Sequence, residues 1–279
     1  MRNARGLALV LACTLASGHS PEALPSHFTH LKGVPDLKSA SALVMDARGN
    51  VIYGKDINTV RSIASITKLM TAMVILDGGL DLDENITVTR ADRDELQLTG
   101  SRLAYGASLS RRDMIMLAIM SSENRAATAL GRSWPGGLDA FIARMNQKAT
   151  ELGMENSRFA DPAGLDPQNT STASDLGKMV AAADGYALIR QASTTRTLQV
   201  YPFRDRGPLT YNNTNRLLKN DSWDIELSKT GYIDEAGRCL VMRAIIGGEP
   251  VSIVLLNSYG KLTPFGDSNR LRKWMLANS

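Results

Sequence analysis

The sequence is poor in the side chains on which most hydrolytic sites depend. It holds three histidines, His19, His27 and His30, and all of them precede residue 31. A Ser-His-Asp triad therefore has no base within the body of the chain. His27-x-x-His30 has the spacing for a loose metal contact, but no His-Glu-x-x-His pair and no thiolate cluster accompanies it. Two exposed histidines are the better reading, and neither a metal nor a cofactor is expected. Cysteine is equally scarce: Cys13 falls in an N-terminal targeting segment, and Cys239 alone remains, so no intramolecular disulfide can form. Cys239 opens an apolar strand pattern with no histidine after it, which reads as a buried structural thiol. There is no Walker loop, and no Gly-x-Gly-x-x-Gly follows a strand, so nucleotide chemistry has no support. No Lys/Arg-rich run is present to track a phosphate backbone, which excludes nucleic acid as a partner on composition. Nor does any stretch reach 18 consecutive apolar residues, so no membrane span is expected.

What is present begins with MRNAR, a short basic start, followed by the largely apolar GLALVLACTLA and small residues at Ser17-Gly18. That order reads as a secretory signal peptide over residues 1–18. Val10-Leu11-Ala12-Cys13 also resembles a lipoprotein box, with Leu11 a poor fit. Cleavage would leave 30 basic against 28 acidic side chains, so the mature chain is close to neutral. A soluble protein outside the cytoplasmic membrane follows, located in the periplasm.

Residues 19–38 carry three prolines and little periodicity, an extended arm. SALVMDARGNVIYGKD gives two short apolar runs around a turn, a β-hairpin signal. From Ser65 the pattern becomes helical: Ile66, Leu69, Met70, Met73, Val74 and Leu76 recur at three- and four-residue steps until Gly78-Gly79. LSRRDMIMLAIMSSENRAATALGR reads as a further helix, as does GLDAFIARMNQKATELG with Gly153 as its stop. STASDLGKMVAAADGY reads as another, capped at Ser174-Asp175. Strand patterns return late, in WDIELSKTGY, CLVMRAIIG and VSIVLLNSY, before the amphipathic helix DSNRLRKWML. Strands at both ends with helices between them predict an α+β (mixed α/β) fold. One antiparallel sheet is formed from both chain ends and flanked by helices, with a central helical lobe, over residues 39–279.

If a serine is activated here, a lysine must do it. Ser65 and Lys68 stand three apart at the first turn of a helix, so Oγ and Nζ share a face. The spacing alone decides nothing, because it recurs at Ser258 and Lys261 without supporting context. A lysine is a poor base at its solution pKa of about 10.4. Burial and a second cation would lower that value, and the helix N-terminus would favour an oxyanion at Ser65. A working pair thus predicts a second cation and further polar groups in the cleft. Ser122, Glu123 and Asn124 offer a hydroxyl and an amide within a helical pattern, and Lys229-Thr230-Gly231 lies on a strand, where glycine permits close backbone approach.

Ser-x-x-Lys, Ser-x-Asn and Lys-Thr-Gly in this order, 57 and 107 residues apart, resemble the signature of penicillin-binding proteins and serine β-lactamases. The wording of SIASITKLMTAMVILD, MSSENRAATAL, NTNRLL and ELSKTGYIDEAGRCLVM is similar to the low-molecular-mass D-alanyl-D-alanine peptidases. More narrowly it resembles the short endopeptidase type, the penicillin-binding protein 7 type. One departure is Ser62, where that family has proline. The resemblance implies a DD-peptidase/β-lactamase-like fold with Ser65 as the acylated nucleophile and Lys68 as its base. Ser122 would relay a proton to the leaving amine, and Asn124 would bind the substrate amide. Lys229 (cationic, and thereby helping to hold Lys68 neutral) and Thr230 would bind the substrate carboxylate, and Gly231 would let the substrate backbone approach closely. The backbone N–H groups of Ser65 and Tyr232 would form the oxyanion hole. The implied partners are peptidoglycan stem peptides, with β-lactams as covalent inhibitors.

Class A β-lactamases add a deacylating glutamate after Ser-x-Asn; the nearest imitation, Glu95-Leu96-Gln97-Leu98-Thr99, precedes Ser122. A penicillin-sensitive peptidase is therefore favoured over a β-lactamase. The short C-terminus favours an endopeptidase cutting D-alanyl–diaminopimelate cross-links, with a D-alanyl-D-alanine carboxypeptidase as the alternative. A non-catalytic wall-binding protein is disfavoured by the intact motifs. Glu123, Arg125 and Arg238 read as scaffold or rim, with Arg238 alternatively placed to meet an acidic substrate, and Asp161-Pro162 and Asp166-Pro167 read as turns.

Overall fold

The computed structural model describes Phe28 and residues 31–278. The signal segment, most of the arm and all three histidines lie outside the described residues. β1 (Ser41–Met45) and β2 (Val51–Lys55) form the expected hairpin, closed by Asp46, whose carboxylate accepts the N–H groups of Arg48 and Asn50 at 2.8 Å each. A two-residue β3 (Arg61–Ser62) and a 3-10 turn at Ala64–Ile66 lead into α1 (Thr67–Asp77). The lobe follows: β4 (Asn85–Thr87), β5 (Ser108–Ser110), α2 (Arg111–Met120), α3 (Asn124–Arg132) and α4 (Gly137–Glu151). β6 (Thr170–Ser171), α5 (Ala173–Ala183), α6 (Ala187–Thr194), β7 (Thr197–Val200) and β8 (Leu209–Asn212) complete it. The chain returns through β9 (Asp224–Ile233), β10 (Gly237–Ile246) and β11 (Glu249–Ser258) to α7 (Thr263–Asn278).

The sheet runs β2-β1-β11-β10-β9, antiparallel throughout, with Leu43 opposite Val254 and Lys229 opposite Val241. It is therefore built from both ends of the chain, as the pattern predicted. Leu43, Val241, Val254 and Leu256 face the lobe, and Val44, Met242, Ile253 and Leu255 face Leu271 and Met275 of α7. Burial on both faces explains why the SALVM and SIVLL runs are continuously apolar rather than alternating. β9 has one sheet neighbour only, so its outer edge is free to bound a cleft. α1 is buried on all sides from Thr67 to Ile75, the condition of a helix at the centre of a domain.

Three local expectations are corrected. The single helix expected from Leu109 to Arg132 breaks at Ser121–Glu123, because Ser122 adopts a left-handed φ of 61°. Ser122 and Glu123 therefore stand in a helix–helix junction, and Asn124 is the first residue of α3. The cap of α5 is Thr172, whose hydroxyl accepts the Asp175 N–H at 3.1 Å, rather than Ser174 or Asp175. Strand pairs β3–β6, β4–β5 and β7–β8, two to four residues long, occur inside the lobe, where the sequence shows no strand period.

Asp267 of α7 fastens the two chain ends together. Fully buried, it accepts the N–H groups of Lys38 (3.1 Å) and Ser39 (2.7 Å), the Ser39 hydroxyl (2.5 Å) and an Arg270 ion pair. Burial opposes its ionisation, but the Ser39, Lys38 and Arg270 contacts prevail and hold its pKa below the usual carboxylate value. A depressed carboxylate stabilises the fold above its unfolded pKa and loses that contribution as pH falls. Asp267→Asn is expected to cost about 2 kcal/mol at pH 7. In urea denaturation the gap from the parent should close steadily below about pH 4.

Candidate active site

Ser65 and Lys68 come together as the spacing predicts, although Ser65 sits in the 3-10 turn and α1 proper begins at Thr67. Ala64 enters that turn with φ 47°, a strained conformation for a residue with a Cβ. Lys68 is fully buried, and its Nζ lies 2.7 Å from Ser65 Oγ, 2.7 Å from Asn124 Oδ1 and 2.5 Å from the Ala163 carbonyl. A neutral amine has two N–H groups and one lone pair. The two carbonyl oxygens occupy the N–H groups, which leaves the lone pair for the Ser65 hydroxyl. Burial pushes the Lys68 pKa down to about 7, against the pull of the Asp161, Glu123 and Asp94 carboxylates.

The Ala163 carbonyl is held by a loop that the sequence presents as mere turns. The Asp161 carboxylate accepts four successive backbone N–H groups, from Ala163, Gly164, Leu165 and Asp166, at 2.5–2.9 Å, and the Asn169 side-chain amide at 2.7 Å. The loop docks on α1 through Pro162, whose carbonyl accepts the Thr71 hydroxyl at 2.7 Å. At Gly164 (φ +75°) a Cβ would stand 2.0 Å from the Ala64 carbonyl oxygen, so only glycine fits. Ser62, the departure from the family pattern, bonds the same loop: its hydroxyl donates to the Pro167 carbonyl at 2.6 Å.

Asn124 is oriented from behind. Asp94 accepts the Thr99 hydroxyl at 2.6 Å, so the oxygen of Thr99 is free to accept Asn124 Nδ2 at 2.8 Å. That fixes Oδ1 toward Lys68. Asp94 also holds its loop by accepting the N–H groups of Leu96, Gln97 and Thr99. Neither Asp94 nor Asp161 was among the sequence candidates. The available signal was an Asp followed closely by residues whose N–H groups it can gather. Glu123 is a scaffold carboxylate, as expected: it caps α3 at the Arg125 N–H (3.4 Å) and accepts the Ser101 hydroxyl at 2.6 Å. Arg125 also holds scaffold, donating to the Leu103 carbonyl at 2.8 Å.

Across the cleft, the free edge of β9 brings Lys229 Nζ to 2.9 Å from Ser122 Oγ. Thr230 Oγ1 lies 2.6 Å from Thr214 Oγ1, and Thr214 anchors the end of α2 by donating its N–H to the Met120 carbonyl at 3.0 Å. A Cβ at Gly231 would come within 2.9 Å of the Ile63 carbonyl and 3.2 Å of Ser65 N, so the glycine lets β9 abut the nucleophile turn. Lys229 is buried, and burial, then the proximity of Lys68, lowers its pKa well below the ordinary value. This alters the expected electrostatics: burial is the main cause at Lys68 too, rather than a charge on Lys229. Cys239, opposite Gly231, is buried, and burial raises its pKa to about 11, consistent with an inert thiol. The second Ser-x-x-Lys dissolves, because Ser258 is buried against Ser39 while Lys261 is exposed.

Ser65, Ser122, Asn124, Thr230, Gly231 and Tyr232 open on one cleft of about 770 Å³. Among the described residues no His/Cys/Asp/Glu group could hold a metal, and no helix is long and apolar enough to cross a membrane.

Residues 29–260 match the family described as D-alanyl-D-alanine carboxypeptidase. The chain is 46% identical to a D-alanyl-D-alanine endopeptidase of Pseudomonas aeruginosa over 99% of its own length and 89% of the relative's. It is 45% identical to a D-alanyl-D-alanine endopeptidase of Escherichia coli K12, covering 95% and 86%. The crystal structure of the Streptomyces K15 DD-transpeptidase superposes with a TM-score of 0.82 at 28% identity, covering 88% of this chain and all of that one.

Two outcomes follow from the site geometry. Only the neutral Lys68 amine can accept a proton, so acylation of Ser65 by a penicillin should fall about tenfold per pH unit below about pH 7 and level off above it. Stopped-flow acylation across pH 5–9 reads this directly, and a flat profile would remove Lys68 as the base. Thr99→Val frees Asn124 to flip and should slow acylation about tenfold with little change in melting temperature. Thr99→Ser, which keeps the hydroxyl, should restore the rate.

Proposed function

This chain belongs to the D-alanyl-D-alanine carboxypeptidase family of serine peptidases, and on that premise we propose that it is a penicillin-sensitive peptidoglycan endopeptidase. Its substrate is the D-alanyl–diaminopimelate cross-link, and its place of work is the periplasm. Ser65 Oγ attacks the D-alanyl carbonyl as its proton passes to Lys68 Nζ. The oxyanion is received by the backbone N–H groups of Ser65 and Tyr232, and Ser122 hands a proton to the departing diaminopimelate nitrogen. Ser122 is reprotonated at the expense of Lys68, so the proton taken from Ser65 ends on the departing nitrogen and Lys68 is neutral again. Water then attacks the ester, its proton passing by way of Lys68 to Ser65 Oγ as the acyl group leaves. Asn124 binds the substrate amide, and Lys229 and Thr230 bind the carboxylate beside the scissile bond.

The single observation that carries the reading is the buried Lys68, with its two N–H groups occupied and Ser65 at 2.7 Å. Burial depresses both lysines in the free protein, and the nearby Lys68 depresses Lys229 further. A substrate carboxylate arriving at Lys229 restores its charge. The renewed cation then favours the neutral form of Lys68 at the moment when a base is required.

Among the described residues no carboxylate lines the cleft, so nothing there activates water against a penicilloyl ester in the manner of a class A β-lactamase. The endopeptidases at 46% and 45% identity support endo-cleavage over the carboxypeptidase alternative. A fluorescent penicillin followed by cross-linked muropeptides, with products weighed by mass spectrometry, tests the proposal. A persistent adduct on Ser65, absent in Ser65→Ala, and dimer-to-monomer conversion are expected. Release of terminal D-alanine alone would make it a carboxypeptidase, and rapid turnover of the drug a β-lactamase.

A further inference from the structure

The cleft extends past the catalytic groups to a wall of four cationic side chains, Arg216, Lys219, Arg238 and Lys261. Arg216 and Lys219 bracket a four-residue 3-10 turn, Arg216–Lys219. Three residues per turn set them on one face, one above the other. The intervening Leu217 and Leu218 are buried and root the turn, and Asn215 secures its start by accepting the Leu217 N–H and donating to Ser228 Oγ, each at 3.0 Å. This rooted turn begins two residues after Thr214, the partner of Thr230, so it continues the side of the cleft assigned to the substrate carboxylate. Arg238, opposite Tyr232 in register, lays its guanidinium 3.4 Å over the Tyr232 ring. Lys261 stands just before α7.

Among the described residues no acidic side chain lines the cleft beside these cations. Arg111, Arg132 and Arg243 each meet a carboxylate. Among the described residues Arg216, Lys219, Arg238 and Lys261 have no such ion pair, and the nearby Asp234 accepts the Tyr232 hydroxyl instead. A concave site lined by one sign of charge concentrates ligands of the other.

We propose that this wall is a second carboxylate subsite, which holds the leaving stem peptide of a cross-link through its acidic groups beyond the one at Lys229 and Thr230. The inference rests on the endopeptidase reading. A carboxypeptidase releases one D-alanine with a single carboxylate, which Lys229 and Thr230 suffice to bind. An endopeptidase releases a diaminopimelate that still carries its stem, in which the γ-linked glutamate leaves its α-carboxylate free. The wall thus serves the larger, more acidic leaving group and sets the preference for cross-links.

The test is competition. The free tripeptide L-alanyl-γ-D-glutamyl-diaminopimelate, and the same peptide amidated at the glutamate α-carboxyl, compete with fluorescent penicillin for the intact protein and for an Arg216→Gln/Lys219→Gln double variant. The acidic tripeptide should compete about tenfold better than the amidated one on the parent, with an advantage that shrinks as salt is raised. The double variant should no longer distinguish the two peptides. Failure of the tripeptide to compete, equal competition by both peptides on the parent, or an undiminished preference in the double variant would overturn the subsite. Dimer cleavage by the parent is measured alongside. If it is absent while the tripeptide preference holds, the endopeptidase reading fails and the anionic subsite stands.

Discussion

Everything at this site depends on taking one ammonium group out of water. Lys68 lies on a helix buried on all sides, where an unpaired cation would cost several kcal/mol. The protein resolves the cost by lowering the pKa to about 7 and surrounding Nζ with three oxygen atoms. Two of these belong to carbonyl groups that can only accept, so the direction of the third contact follows from the number of N–H groups on a neutral amine. The lone pair of Nζ is thereby held toward Ser65 Oγ in the free protein.

Meeting that requirement shapes the surrounding backbone. Ala64 and Ser122 both hold left-handed φ values, at 47° and 61°, which side chains with a Cβ adopt only when the rest of the fold insists. Ala64 turns the chain so that Ser65 faces Lys68, and Ser122 breaks what would otherwise run as one helix so that its hydroxyl faces Lys229. The strain is opposed locally. The Glu123 N–H and the Ser121 N–H both bond the Leu117 carbonyl, and the Asp161 loop is gathered by four N–H groups on one carboxylate. Rigidity at the catalytic groups thus comes from short polar contacts on flanking loops as much as from the apolar core.

This division explains what could be read from the sequence. The sheet and α1 were legible because apolar runs and three- and four-residue steps are local signals of burial. Ser65 and Lys68 were legible because one helical turn brings them together. The break at Ser122 was not, since MIMLAIMSSENRAATAL has a helical pattern throughout and the partner of the left-handed residue, Lys229 on β9, lies 107 positions away. Asp94 and Asp161 looked like turn residues, which they are; their second purpose, aiming Asn124 and the Ala163 carbonyl at Lys68, exists only once distant segments meet. The short strand pairs in the lobe have too few residues to show a period of two.

The charges around the site complete the same argument. Asp94, Glu123 and Asp161, tied into the scaffold, pull the pKa of Lys68 upward, while burial pulls it down by more. Without these carboxylates the amine would be neutral over a wider pH range but a weaker base. Without burial it would remain protonated. A value near 7 balances availability against basicity, and proton transfer is most effective when the base titrates near the working pH. Carboxylates behind Lys68 and cations lining the cleft thus act in different places: the first raise the pKa of Lys68, and the second give the cleft one sign of charge.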